Sequence, residues 1–156
     1  MSGVVLSADP GLGGALAWLS HDGCLIEVAD MPTAKIRDRN RIVAADLAHM
    51  FRLRAVDYVV IEAVGPHRGD GAGGAFAFGY GAGMLEGIAS ALEIPVHLVS
   101  PATWKRKAGV PADKNGARMM ASRLWPGAAD RFRRVRDDGR AESALLGRWA
   151  ALGGVR

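Results

Sequence analysis

Four carboxylates stand where metal-assisted chemistry on a phosphate ester would become possible. Asp9 follows a short apolar run at residues 4–6, and Glu62 ends a second run at residues 58–61. Each acid should therefore lie where a buried strand opens to solvent. Asp138 and Glu142 are four residues apart, about 400° around a helix, so they share one face with their Cβ atoms about 6 Å apart. Asp137 and Glu142 point well away from each other, which favours Asp138 as the third acid, although a ragged helix start would let Asp137 take its place. Four such groups in one partly dry cleft would repel by on the order of several kcal/mol. Divalent cations relieve that repulsion. An all-oxygen donor set without histidine or thiolate suits Mg²⁺, with Mn²⁺ as a substitute. Two such ions about 4 Å apart can clamp the attacking water and the leaving oxygen of a phosphodiester. Taken singly, each acid has an ordinary structural role as a turn, strand-end, N-cap or first-turn residue. The set of four is what points to catalysis.

The elements that must position these acids can be read from the same chain. Apolar runs at residues 4–6, 15–19 and 24–28 are separated by Gly11, Gly13 and Gly14 and by His21-Asp22-Gly23. That pattern predicts a three-stranded antiparallel meander. Residues 31–40 are polar and predict a loop. Residues 41–53 repeat apolar side chains at helical spacing, and the continuous apolar character of residues 58–61 suits an interior strand. Beyond the glycine-rich residues 65–74, a helix is expected over 76–92 and a strand over 95–99. Pro101 would open another helix, and residues 114–124 and 142–152 carry amphipathic helical patterns. The order is α/β, one mixed sheet with helices on both faces, and 156 residues fit a single domain over 1–156.

Within residues 76–92, Phe76, Phe78, Tyr80 and Met84 have the spacing of a helix packed on the core or on a second subunit. Gly79, Gly81, Gly83 and Gly87 would allow close helix approach, consistent with a dimer contact. Trp18, Trp104, Trp125 and Trp149 read as core or hinge anchors.

Composition narrows the partner. Lys and Arg number 20 against 16 Asp and Glu, a formal charge of +4, which favours a polyanion. Lys105, Arg106, Lys107, Lys114, Arg118, Arg123, Arg131, Arg133, Arg134, Arg136 and Arg140 crowd into residues 105–140, so nucleic acid leads. His67 and Arg68 are further candidates for phosphate contact. Cys24 is the only cysteine, which excludes an internal disulfide and a thiolate zinc site and leaves the reading of a small buried apolar residue. No apolar run nears the roughly 18 residues of a membrane span, so no membrane partner is expected and the location expected is cytoplasmic, in a bacterial or phage-infected cell.

Several motifs, in order, carry a resemblance. They are Leu6-Ser7-Ala8-Asp9-Pro10-Gly11 with Gly14-Ala15-Leu16, then Val60-Ile61-Glu62, then Gly79-Tyr80-Gly81-Ala82-Gly83. Ser100-Pro101 with Trp104-Lys105 follows, then Lys114, and finally Asp137-Asp138-Gly139-Arg140-Ala141-Glu142. Over nearly the whole chain this resembles the RuvC-like Holliday junction resolvases, nearest to the phage-type and chloroplast branch. The resemblance implies an RNase H-like fold, a homodimer, and Mg²⁺-dependent paired nicking at a four-way DNA junction. It also implies that Asp9, Glu62, Asp138 and Glu142 hold metal and that Lys105 and Lys114 face the scissile phosphate. Two departures stand out. The housekeeping resolvases carry a stacking Phe shortly after the second acid, where this chain has Ala63-Val64-Gly65-Pro66-His67-Arg68. The final acid is Glu142 at four-residue spacing, which alters its reach toward a second ion.

Three other readings draw on the same residues. An enzyme cutting RNA in an RNA/DNA hybrid would use the same acids, and an inactive junction-binding protein would need only the basic surface. The run Asp9-Pro10-Gly11-Leu12-Gly13-Gly14 resembles the phosphate loop of actin-like phosphotransferases, but the chain is too short for two lobes around a nucleotide, so no nucleotide cofactor is expected.

Overall fold

The computed structural model describes residues 3–63, 65 and 71–155. Five strands form one mixed sheet in the order β3-β2-β1-β6-β7. β1 (Val4–Ala8), β2 (Ala15–Leu19) and β3 (Leu25–Asp30) are the expected antiparallel meander. β6 (Val56–Glu62) joins β1 in parallel, and β7 (Val96–Val99) joins β6 in parallel.

Residues 31–40 are not a loop. They contribute most of a separate antiparallel hairpin, β4 (Thr33–Ile36) and β5 (Arg39–Ile42). Its two-residue tip, Arg37 and Asp38, has positive φ at both positions, the geometry of a tight hairpin turn. Because β5 takes Arg41 and Ile42, the first helix, α1 (Ala44–Arg52), starts later than its apolar spacing suggested.

Each face of the sheet has its own core. Leu6, Ala8, Val59 and Ile61 point to one side, where they meet α1 and α2 (Ala72–Ala91) through Leu47, Phe51, Leu85 and Ala89. Val5, Ala17 and Val60 point to the other. There they pack with Trp104 of α3 (Pro101–Ala108), Ala117 and Ala121 of α4 (Lys114–Leu124), and Leu145 and Leu146 of α5 (Asp138–Trp149). Period-two alternation along β1 and β6 therefore decides which helices each residue meets.

Local chemistry sets the helix boundaries. Ser100 caps α3, with Pro101 in the first turn and Gly109 left-handed at its end. The Asp113 carboxylate caps α4 by accepting from Gly116 N–H at 2.7 Å. Helix α5 begins at Asp138, one turn earlier than its apolar pattern suggested, and passes after Trp149 into a wider turn over Ala150–Gly154. Among the described residues no helix is long and apolar enough to cross a membrane.

Candidate active site

Strand register brings the first two acids together. Ala8 pairs with Ile61 across the parallel β1/β6 ladder, so Asp9 and Glu62, each the next residue, sit side by side at the carboxyl ends of adjacent strands. The ladders run on past them: Asp9 N–H donates to Ala15 O at 3.0 Å, and Ala63 N–H to Val99 O at 2.8 Å. Asp9 has the parity of Val5 and Ser7, and Glu62 that of Val60, which directs both toward the α5 side.

Helix α5 supplies the other two acids, and its small residues fix their height above the sheet. Gly139, Ser143 and Gly147, four apart, form the stripe that lies on β1 and β2. A Cβ on Gly139 would fall 2.4 Å from Gly13 O, and one on Gly147 2.3 Å from Leu19 Cδ1. A side chain at either place would force its neighbours to shift. Between them Ser7 Oγ donates to Ser143 O at 2.6 Å and Ser143 Oγ to Ser7 O at 3.1 Å, a reciprocal buried pair. Arg140 then ties the first turn of α5 to the end of β3, gripping both oxygens of Asp30 at 2.6 and 2.7 Å.

The two candidate third acids face different partners. Asp137 is buried and accepts from Arg134 N–H at 2.8 Å and from its guanidinium at 2.8 and 3.0 Å. Burial pushes its carboxyl up, but the hydrogen bonds from Arg134 outweigh this and hold the pKa below the ordinary value. Asp138 instead meets Lys114 Nζ at 2.6 Å.

One electrostatic neighbourhood contains all four acids. Asp9 is pushed up to about 7 by burial first, then by the charges of Glu62 and Glu142, with a smaller contribution from Asp138; the Gly11 N–H opposes this. Lys105 Nζ pairs with Glu142 Oε1 at 2.8 Å and lies 5.6 Å over the Trp104 ring. Lys114 is held above its usual pKa by its hydrogen bond to Asp138. Glu62, nearly buried, accepts from Trp104 Nε1 at 2.9 Å. With their side chains turned to these partners, no three acidic, histidine or cysteine groups among the described residues surround a common ion position. The donor set nevertheless suits a hard divalent cation: burial and the neighbouring carboxylates together raise the Asp9 carboxyl to about 7, and the lysines already provide positive charge at Asp138 and Glu142.

The candidate DNA-contacting residues divide into several groups. Arg131, Arg133 and Arg136 are exposed, Arg133 pairing with Asp130 at the surface. Arg134 and Arg140 are engaged with Asp137 and Asp30, and Arg118 donates to Arg133 O at 2.8 Å. Lys107 lines a cavity with Arg148 and Trp149 at the far end of α5, away from the acids. His67 and Arg68, with Pro66, lie outside the described residues.

Two side chains depart from expectation. Cys24 is exposed, because the meander places it just before β3 rather than inside it. Phe76 and Tyr80 also stand out from α2, at 72% and 52% exposure, rather than packing on the core of the chain. The hairpin carries four further basic residues, Lys35, Arg37, Arg39 and Arg41: Arg39 and Arg41 share one face of β5, Lys35 lies on the other face opposite Asn40, and Arg37 is in the turn.

No family model and no curated protein matches this chain. Solved structures do. Thermus thermophilus RuvC in complex with a Holliday junction substrate superposes with a TM-score of 0.60 at 16% identity, over 96% of each chain. A further Thermus thermophilus RuvC structure gives 0.58 at 19% identity, again over 96% of each. The chain thus has the RNase H-like fold of RuvC, a mixed five-stranded sheet with helices on both faces.

Proposed function

We propose that this chain is a divalent-metal-dependent endonuclease that resolves four-way DNA junctions by paired, symmetric nicks. The observation that carries the reading is the gathering of Asp9 and Glu62, on adjacent parallel strand ends, with Asp138 and Glu142 of α5, close enough that, after burial, the charges of the other three acids add to the rise of the Asp9 carboxyl to about 7. The RuvC fold, in a protein solved on junction DNA, supports the choice of substrate.

Asp9, Glu62, Asp138 and Glu142 would hold Mg²⁺, or Mn²⁺ in its place. When bound, the metal supplies charge neutralisation at the scissile phosphate and activation of the attacking water. Trp104 orients Glu62 through its indole N–H. Lys105 and Lys114 reach the same acids and act on the substrate phosphate, stabilising charge that develops on its oxygens. Arg131, Arg133 and Arg136 bind the DNA backbone beyond the cleft.

The working form is a homodimer, since a two-fold junction is matched by two-fold protein symmetry. Helix α2 offers the contact: Gly79, Gly83 and Gly87 share one exposed face, and a Cβ on any of them would meet open space. A second helix could approach closely there.

The test is incubation with a synthetic four-way junction and, separately, an RNA/DNA hybrid, each with and without Mg²⁺. Two symmetric nicks in the junction, dependent on metal, are expected, with the hybrid left intact. Cleavage of the hybrid alone, or tight junction binding without nicking, overturns the proposal.

A further inference from the structure

A cavity of about 660 Å³ opens where the carboxyl-terminal ends of α3, α4 and α5 meet, and none of the four acids lines it. From Asp138 to Trp149 helix α5 rises about 16 Å, which sets the two sites apart. The wall is mostly aliphatic, Met120, Leu124, Leu145 and Leu152, with the one ring of Trp149. It is built in advance. The backbone of Gly154 lies so close to that ring that a Cβ there would fall 2.3 Å from Trp149 Cε2, and the turn at Gly23 lies against the Arg148 stem, where a Cβ would fall 3.2 Å from Cγ. Leu152 is nonetheless 53% exposed, so part of this apolar wall faces solvent. Lys107 and Arg148, at the ends of α3 and α5, are the charged side chains of the lining, and neither makes an ion pair among the described residues. No acid, amide or hydroxyl side chain joins them.

That chemistry selects the occupant. It must bring apolar volume to the wall and negative charge to two cations on separate helices. A nucleobase does not qualify, because its polar edge would leave water with no amide, hydroxyl or carboxylate side chain to take its hydrogen bonds. A simple aliphatic carboxylate answers one cation and leaves the other unpaired. An extended peptide with acids on both sides of an apolar residue answers both, with its main chain still in water at the rim.

We propose that this cavity is a docking site for an acidic peptide segment of a protein partner, its apolar side chain seated against Trp149 and Leu145 and its carboxylates paired with Lys107 and Arg148. The inference is independent of the nuclease reading. It gives Lys107 a partner other than DNA, and it leaves the acid cleft open, so the partner and a substrate can be held together.

The test is fluorescence anisotropy of the full chain with a labelled set of hexapeptides, Glu-Asp-X-X-Asp-Glu, where X is Leu, Ile, Phe, Trp or Met. At least one should bind saturably. Its counterpart with Gly-Ser at the two X positions, and its counterpart with every acid replaced by Gln, should each bind about tenfold more weakly or worse. Lys107→Glu/Arg148→Glu should weaken binding about tenfold or more, and Leu152→Asp several-fold. Circular dichroism of these variants should match the wild type; should the double variant unfold, Lys107→Gln, at an exposed position, carries the test with a several-fold loss. No binding below about 1 mM by any member of the set overturns the proposal. Equal binding of the acids-only peptide overturns it too, since general attraction to a basic protein would then suffice. So does displacement of the peptide by a single-stranded oligonucleotide in the charge-reversed variant and the wild type alike, which would place the peptide on another surface. Displacement by octanoate at the peptide's own concentration would assign the cavity to a small carboxylate instead, and loss of dimer in Lys107→Glu/Arg148→Glu would assign it to a second copy of the chain.

Discussion

The two faces of the central sheet are packed by different means. On the α5 side, an added carbon at Gly139 or Gly147 would collide with its neighbours, and polar atoms are tied by Ser7–Ser143, Arg134–Asp137 and Arg140–Asp30. On the α1/α2 side the core is apolar, and the outer face of α2 carries glycines over open space and two solvent-facing rings. The first arrangement fixes four carboxylates to within side-chain rotation. The second leaves surface to be covered. The proposed nuclease would use both, fixed carboxylates on one face and an open face for a partner or a strand, and the sheet keeps the two apart.

The strongest test of the rigid face is Asp9→Asn. It should lower nicking by about a thousandfold or more, because a central metal-holding oxygen and its charge are lost, while junction affinity without metal stays near wild type. The same change should stabilise the metal-free chain. A carboxyl whose folded pKa is about 7 binds a proton more readily folded than unfolded, so between about pH 4 and 7 stability falls as pH rises. Above pH 7 the deficit is complete, about 4 kcal/mol at 1.4 kcal/mol per unit. Asn removes it. The melting temperature at pH 8 in EDTA should rise by about 10 °C, and a fall would show that Asp9 is not under the repulsion described.

Trp104→Phe comes next in size. It keeps the buried ring and removes the donor to Glu62, so Mg²⁺ affinity should fall about 10- to 100-fold, as when an orienting partner of a metal ligand is lost. Isothermal titration of the metal reads this directly. An unchanged affinity would mean that Glu62 needs no orientation from α3. Gly139→Ala follows. Its methyl must push α5 off the 13–14 turn, at about 1–3 kcal/mol of stability by urea unfolding. Gly83→Ala on the open face of α2 is the contrast: no loss of monomer stability is expected, and dimer content, read by analytical ultracentrifugation, should drop.

Sequence reading went further on the rigid face than on the open one, for physical reasons. Apolar periodicity marks strands and amphipathic helices, so the meander, β6 and the bounds of α4 at Lys114–Leu124 were legible. The placement of Asp9 and Glu62 at strand ends was legible too, because polarity changes abruptly there. The hairpin was missed because its strands are mostly exposed, and exposed strands carry no apolar alternation. Arginine counts suggested one broad basic surface, but charge says nothing about partners: Arg134 and Arg140 are taken up by Asp137 and Asp30. The choice between Asp137 and Asp138 depended on which carboxylate Arg134 would take, a contact of a 3₁₀ turn that helical spacing does not reveal.

The smallest effect expected on the rigid face concerns that clamp. Arg140 holds the Asp30 carboxyl below its ordinary pKa, chiefly by hydrogen bonding, against some desolvation. A lowered folded pKa adds stability that is present above about pH 4 and is lost as pH falls through the folded value, the opposite sign to Asp9 and a lower window. Asp30 is 62% exposed at its side chain, so solvent screens the pair and its share of stability stays under about 1 kcal/mol. Asp30→Asn should therefore barely move the melting temperature at pH 7. Its effect belongs to geometry: with the first turn of α5 less firmly tied to β3, Asp138 and Glu142 should wander, and nicking should fall several-fold at low Mg²⁺ and recover at high Mg²⁺. If that recovery fails while stability is unchanged, the Asp30–Arg140 pair does more than place the helix.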